Sequence, residues 1–229
     1  MKALMNIKNK KKVGLKKIWS KAVLLKNAGF TLIELLVVLA IFAIVMSVAL
    51  FDQAGLNSNI LVTNLAYETA LAVREAQTYG IGVRATGADI FDKGYGAYFD
   101  TNKMNQVVVF GDSDGSNSYT EGANPSELQS LYEIKNQRGN KIWSICVGSP
   151  QCKILSTGQK LSIMFKRPNP EATFHIFDAS GEVLPPPTGP AVIVVNNVEG
   201  TNCRAIVVEV TGQIRVENST GGNCSNTIH

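Results

Sequence analysis

Histidine is scarce in this sequence, and the familiar catalytic motifs are missing. The 229 residues include only two histidines, His175 and His229, so sites that need several imidazoles lack their donors. The sequence has no Gly-x-Ser-x-Gly, no His-Glu-x-x-His and no phosphate-binding loop. Cys146 and Cys152 are separated by five residues rather than two and have no histidine beside them, which argues against zinc. We therefore expect no enzymatic activity and no catalytic cofactor.

Acidic residues are also missing from the first 29 positions, where nine lysines lie. Without these nine lysines, 13 of the 22 basic residues remain against 18 acids, so the net charge changes from +4 to −5. The later part of the chain is therefore mildly acidic, and its charge gives little reason to expect nucleic-acid binding. Because lysine clusters stay on the cytoplasmic side of a bilayer, we expect the part after residue 51 to be exported.

An apolar run follows the lysines at residues 30–51, and it contains a single acid, Glu34. A helix needs about 20 apolar residues to cross a bilayer, so the run is long enough for a span. An acid at membrane depth costs roughly 2.5–3.5 kcal/mol and usually has a partner. These residues alone leave three interpretations open: a signal peptide cut after Ser47-Val48-Ala49, a plain anchor with a stray acid, or an anchor whose acid has a function.

The helical pattern continues beyond the apolar run. One helix face carries apolar residues, and Gly80 and Gly82 mark the expected end. We predict one long helix over residues 30–79, with a membrane half at 30–51 and an amphipathic half at 52–81. The apolar face is formed by Leu61, Leu65, Ala72, Ala76 and Tyr79.

Residues 82–229 have the pattern of a β-rich domain, with short runs of β-branched and aromatic residues between turn formers. We predict an α+β fold in which the helix packs on an antiparallel sheet of one or two layers. Thr211-Gly212 is expected to turn a hairpin, and the proline-rich residues 184–190 are expected to form an extended loop. The predicted strands are residues 95–99, 106–110, 131–135, 142–147, 161–165, 173–177, 191–195, 205–210 and 213–216.

All four cysteines lie in the part that is expected to be exported. An even number of cysteines in an oxidising compartment indicates two disulfides, and four cysteines allow three pairings. Sequential pairing, Cys146–Cys152 and Cys203–Cys224, is favoured because each bond closes a short loop that contains turn-forming residues. Four reduced structural cysteines are the alternative.

Alternating oxygen donors at residues 112–118 are compatible with a calcium loop. Asp112, Asp114 and Ser116 are the candidate ligands, since calcium prefers oxygen donors in this kind of spacing. The stretch departs from the EF-hand pattern, which requires glycine where Asn117 stands and glutamate where Ala123 stands. A polar turn without a metal therefore remains the alternative.

The residues around Gly29 resemble a known processing signal. The stretch Gly29-Phe30-Thr31-Leu32-Ile33-Glu34 is similar to the prepilin cleavage and methylation motif of type IV pilins and type II secretion pseudopilins. The resemblance implies that residues 1–29 are a leader, that a prepilin peptidase cuts between Gly29 and Phe30, and that the new Phe30 amine is methylated. It also implies that Glu34 pairs with that amine, often in a neighbouring subunit. Such pairing would offset much of the cost of either charge near lipid.

Three later stretches resemble GspH/FimT-type minor pseudopilins and pilins: residues 63–84, 94–101 and 205–216. The resemblance implies a pilin-like fold and a structural, minor subunit of a type II secretion pseudopilus, anchored once in the inner membrane. The implied partners are the prepilin peptidase, other pilins or pseudopilins, and the inner-membrane assembly platform. A type IV pilus that serves adhesion, motility or DNA uptake is the alternative, and a membrane-anchored binding protein outside any filament is another.

DNA binding in FimT-type pilins is attributed to a Gly-Arg-x-Arg hairpin near the C-terminus. The matching positions here are Gly212, Gln213, Ile214 and Arg215, so one arginine of the pair is replaced. Acidic residues stand on both sides of the turn. Because phosphate contact depends on clustered cations, DNA is an unlikely partner and Arg215 is the one residue that we carry over for it.

Overall fold

The computed structural model describes residues 29–51, 53–82, 93–134, 139–149, 152–185, 188–197 and 200–218. Within these ranges lie helices α1 (Leu32–Phe51) and α2 (Gln53–Ile81), followed by β-strands. The chain divides into two compact units, Met1–Ala49 and Leu50–His229. The strands are β1 (Tyr95–Asp100), β2 (Gln106–Gly111), β3 (Leu128–Glu133), β4 (Lys141–Val147), β5 (Lys153–Ile154), β6 (Lys160–Phe165), β7 (Ala172–Phe177), β8 (Ala191–Asn196), β9 (Cys203–Val208) and β10 (Ile214–Asn218).

Helix α1 is apolar except for Glu34 in its first turn and Ser47 near its C-terminal end. Every described side chain of residues 29–48 is exposed, including Leu36, Phe42 and Ile44. Among the described residues, no helix combines the length and hydropathy that are needed to cross a membrane. The membrane span that we expected at residues 30–51 stays a prediction from the sequence.

Helix α2 buries the face that the sequence pattern predicts. Leu65, Ala72 and Ala76 are almost fully buried, and the small alanines allow the helix to approach strands of both sheets. The helix ends at Ile81, next to Gly82, as expected. The predicted continuous helix is found on both sides of Asp52, and Asp52 itself lies outside the described residues.

The described residues of the β-rich part form two five-stranded antiparallel sheets. Sheet 1 has the order β3-β2-β1-β6-β7, and sheet 2 has the order β10-β9-β8-β4-β5. One face of each sheet contributes to a single hydrophobic core together with α2, where Leu65, Phe99, Phe165, Ile145 and Ile193 belong to the same cluster. The predicted α+β class is confirmed, and of the one or two sheet layers that we predicted, two are present.

Most predicted strands are found within two residues of their predicted bounds, whereas β3 differs more and β5 was not predicted. β3 begins at Leu128, three residues earlier than predicted, and the end of the prediction at Lys135 lies outside the described residues. β5 was missed because two residues carry no detectable alternation. β9 ends at Val208 rather than at residue 210, because Glu209 and the next residues form the turn of the hairpin.

Candidate processing and assembly site

The first turn of α1 is closed by a side chain of the motif itself. The backbone N–H of Glu34 donates to Oγ1 of Thr31 at 3.2 Å, and the N–H of Leu35 donates to the Thr31 carbonyl at 3.2 Å. Thr31 is thus the N-cap, and Glu34 occupies the third helical position, the spacing of a capping box. A carboxylate at this end of a helix is also favoured by the helix dipole. We did not predict this second role of Glu34, although Thr-x-x-Glu before an apolar run is a sequence signal of a capping box.

The peptide bond between Gly29 and Phe30 lies outside the helix and is open to solvent. Phe30 is 78% exposed, and neither residue has helical conformation. A Cβ built on Gly29 would meet no atom within 4 Å, and its backbone is not in the left-handed region. Nothing in the described fold therefore requires glycine at this position. A requirement for glycine here would come from an enzyme that recognises the bond.

Comparison with known families identifies the same segment. Residues 24–50 match the family model described as the prokaryotic N-terminal methylation motif, which covers 27 of the 229 residues. The match supports a type IV pilin-like family for the chain, through its N-terminal segment, and does not distinguish GspH/FimT-type members from others. No curated protein and no solved structure matches the chain significantly.

The loop between β2 and β3 brings three carboxylates together. One oxygen each of Asp112, Asp114 and Glu127 lies within 4.8 Å of the others, a separation that suits a shared cation. Two of these are the acids predicted from the sequence, whereas Glu127 was missed because it is 13 residues further along the chain. The predicted third ligand, Ser116, has its hydroxyl directed to the Ser118 carbonyl at 3.0 Å.

Glu127 already has hydrogen-bond partners in this loop. It is 1% exposed. Its Oε1 accepts from the N–H and the hydroxyl of Ser113, at 3.1 and 3.0 Å, and its Oε2 accepts from the Thr120 N–H at 2.8 Å. A carboxylate that is satisfied in this way stabilises a loop without a metal. A cation would have to compete with these bonds.

The pKa values of the two aspartates in this loop are shifted in opposite directions. Burial raises the pKa of Asp112, and its contact with Asp114 raises it further, against a hydrogen bond from the Gly115 N–H. Partial burial acts to raise the pKa of Asp114, but hydrogen bonds from Ser116 and Thr120 outweigh it, and this pKa is lowered. The two shifts therefore place the pKa of Asp112 above that of Asp114.

The hairpin of β9 and β10 holds Arg215 between two acids. The Arg215 guanidinium forms ion pairs with Glu209 and with Glu217. These bonds raise the pKa of Arg215 and direct its donors to carboxylates on its own hairpin. The positive charge that was carried over for DNA is thus locally neutralised.

The turn of this hairpin lies against α2. Nε2 of Gln77 donates to the Gly212 carbonyl at 2.8 Å, and Arg74 donates to the Ile214 carbonyl at 3.3 Å. Gly212 has a φ of +84°, and a Cβ there would lie 2.0 Å from the Pro170 carbonyl oxygen. Glycine is required at this turn both by the backbone conformation and by the close approach.

A second polar link joins α2 to the edge of sheet 1. The carboxylate of Glu75 accepts hydrogen bonds from the Ser130 hydroxyl at 2.7 Å and from the Tyr132 hydroxyl. The bond to Glu75 is the main reason why the pKa of Tyr132 is raised to about 12. The sequence gives no signal for this contact, since the partners are more than 50 residues apart.

The disulfide between Cys146 and Cys152 is present, with Cα atoms 5.4 Å apart, and the favoured pairing of these two is confirmed. Cys203 is also disulfide-bonded. Its predicted partner, Cys224, lies outside the described residues.

His175 is half-buried on β7, and burial lowers its pKa.

Proposed function

We propose that the protein is a structural subunit of a type IV-like filament, made as a membrane-anchored precursor. The observation that carries the proposal is the prepilin-type motif at residues 24–50. In this account, a prepilin peptidase cuts between Gly29 and Phe30, removes residues 1–29 and methylates the Phe30 amine. The exposed, non-helical peptide bond at this point supports the proposal, because a peptidase needs an extended, accessible chain.

The cut also creates a positive charge that can pair with the carboxylate of Glu34. Before cleavage, Phe30 has an ordinary amide nitrogen; after cleavage, it carries an ammonium four residues before the acid. Two opposite charges in a medium of low dielectric constant are far more stable paired than apart. We propose that Glu34 pairs with the Phe30 amine of a neighbouring subunit and so fixes the axial position of each subunit in the filament.

The surface of α1 supports assembly as well. Its apolar side chains are exposed along the described length of the helix. A continuous apolar surface of this size is unusual for a protein that remains alone in water. In the proposed cycle, lipid covers it in the precursor and neighbouring α1 helices cover it in the filament.

The finer assignment is a minor pseudopilin of a type II secretion system, of the GspH/FimT type. It rests on the resemblance of residues 63–84, 94–101 and 205–216, and on a domain with two sheets and α2. Other pseudopilins and the inner-membrane assembly platform are the proposed partners. We do not propose DNA uptake, because Arg215 is paired with Glu209 and Glu217.

Replacing the acid tests the proposal in cells that contain the peptidase and the filament machinery. We expect Glu34→Ala to be processed normally but to be strongly depleted from sheared filaments, as measured by immunoblotting of filament and membrane fractions. Glu68→Ala, which removes an exposed acid from α2, is the matched control and should assemble normally. Normal incorporation of Glu34→Ala would refute the charge-pair proposal. Absence of the unaltered protein from every filament fraction would favour a membrane-anchored binding protein.

A further inference from the structure

Strand β10 lies at one end of sheet 2, and its free side faces α2. Successive residues of an antiparallel strand direct their N–H and C=O groups to opposite sides. The Gln213 carbonyl faces β9, where it accepts from the Glu209 N–H at 2.9 Å. The Ile214 carbonyl faces the other way and accepts from Arg74 at 3.3 Å. Because the register with β9 is regular, both backbone groups of Val216 also point away from β9.

The backbone of Val216 is open on this side. Within the part of the chain that the structure describes, no hydrogen bond from outside sheet 2 reaches it. The Val216 side chain packs against the main core, so the strand is held in place while its edge stays unpaired. An unpaired N–H and C=O on a fixed edge strand form a template for another extended chain.

A groove of about 340 Å³ lies beside this open position. Its walls are Tyr67, Ala70, Leu71 and Arg74 of α2 and Val216 of β10. Along the helix, the groove extends from Arg74 back to Tyr67, which is seven residues or about 10 Å. That length corresponds to about three residues of a β-strand. The groove therefore has the dimensions of a short extended segment.

The helix wall of the groove has an apolar part and a charged end. Tyr67 is 61% exposed and Leu71 is 57% exposed. Large apolar side chains that stand together on a surface often mark an interaction site. Arg74 is exposed at the end where its bond to Ile214 closes the strand edge. The groove thus favours a main chain that carries an apolar side chain near Tyr67 and Leu71 and an acidic one near Arg74.

We propose that the groove between α2 and β10 binds an extended segment of a partner protein, which adds a sixth strand to sheet 2. The backbone of that segment pairs with Val216, and an acidic residue pairs with Arg74. In peptide recognition of this kind, main-chain bonds give affinity and side-chain contacts give specificity. The β10 strand of a second copy is disfavoured as the added strand, because α2 stands beside it in every copy. The proposal requires neither cleavage at Gly29 nor a filament.

Peptide selection on the full chain tests the groove. The protein is purified in detergent and screened against a random peptide library displayed on phage, and the recovered peptides are synthesised. We expect peptides that combine β-branched residues with an acid. Val216→Pro should weaken their binding about tenfold, the loss expected for one or two main-chain hydrogen bonds. The fold should tolerate this proline, since the Val216 N–H takes no part in the ladder with β9.

Three further variants separate binding from folding. Leu71→Asp changes an exposed side chain and should also weaken binding about tenfold, with a melting temperature close to that of the parent. Arg74→Gln can still donate to the Ile214 carbonyl and should remove only the preference for an acidic residue. Leu128→Asp, on the outer strand β3 of sheet 1, is the matched control and should bind like the parent.

Methylation of the peptide backbone tests the strand pairing itself. Methyl groups on the peptide nitrogens that face β10 should abolish binding, whereas methyl groups on the alternate nitrogens should not.

Three results would overturn the proposal. The first is a selection that yields no peptide whose binding depends on both Val216 and Leu71. The second is a peptide that binds equally well whichever of its nitrogens are methylated, because its main chain would then not pair with β10. The third is self-association of the unaltered chain that Val216→Pro and Leu71→Asp both abolish, which would assign the groove to a second copy.

Discussion

The contact between Gly212 and the Pro170 carbonyl makes Gly212→Ala a sharp test of how the hairpin is seated. A non-glycine residue at a φ of +84° costs about 1–2 kcal/mol. The new Cβ would also lie 2.0 Å from the Pro170 oxygen, so the turn must move. That movement breaks the 2.8 Å bond from Gln77, which contributes about 0.5–1.5 kcal/mol. We expect a total loss of about 3 kcal/mol.

Gly122→Ala is the matched control for this variant. Gly122 has a φ of +79°, but a Cβ there meets no atom within 4 Å, so only the backbone strain applies. Urea unfolding of the full chain, followed by tryptophan fluorescence, should show a loss of about 1–2 kcal/mol for Gly122→Ala and roughly twice that for Gly212→Ala. Equal losses would refute the argument that the Pro170 contact, rather than the turn conformation, fixes the hairpin.

Two further predictions concern the polar contacts of the β-rich part. Tyr132→Phe removes one bond to the Glu75 carboxylate and should lower stability by about 1 kcal/mol at neutral pH, because this bond is partly exposed. The folded-state pKa of Tyr132 is raised to about 12. The difference in stability between Tyr132→Phe and the parent should therefore persist below about pH 10 and shrink as the pH rises to 12. A stability difference that stays constant over that range would contradict the assigned bond between Tyr132 and Glu75. Calcium should leave the melting temperature of the parent protein unchanged, because the Glu127 carboxylate already accepts hydrogen bonds from the loop. Without calcium, the Glu127→Gln variant should melt at a lower temperature than the parent, because it weakens these bonds. A calcium-dependent rise that Asp112→Asn abolishes would instead show that the acids bind the ion.

The elements of the fold could be predicted from local patterns, and the contacts between them could not. The face of α2 that holds Leu65, Ala72 and Ala76 follows from helical periodicity, and most strands follow from runs of β-branched residues. The bounds of β3 and the two-residue β5 were missed because hydrogen bonds to neighbouring strands, rather than their own residues, define them. The division of the strands between two sheets also depends on long-range pairing.

The candidate sites differ in the same way. Gly29, Phe30 and Glu34 lie within six residues, so a linear motif contains the whole site. The cluster of carboxylates in the loop after β2 includes Glu127, which lies near Asp112 and Asp114 because β2 and β3 pair. A linear motif does not reveal this contact. The acids around Arg215 were visible in the sequence as flanking residues, but their pairing with it depends on the hairpin turn.

The mature N-terminus is the most direct test of the central claim. The protein is purified from membranes of cells that contain a prepilin peptidase, and its N-terminal peptide is identified by mass spectrometry. The account predicts a chain that begins at Phe30 with a methylated amine, and a Gly29→Val variant, which the described fold tolerates, should retain residues 1–29. A mature chain that begins at Leu50, as a signal-peptidase cut after Ala49 would give, or one that keeps its lysine-rich head beside an active peptidase, would contradict the account.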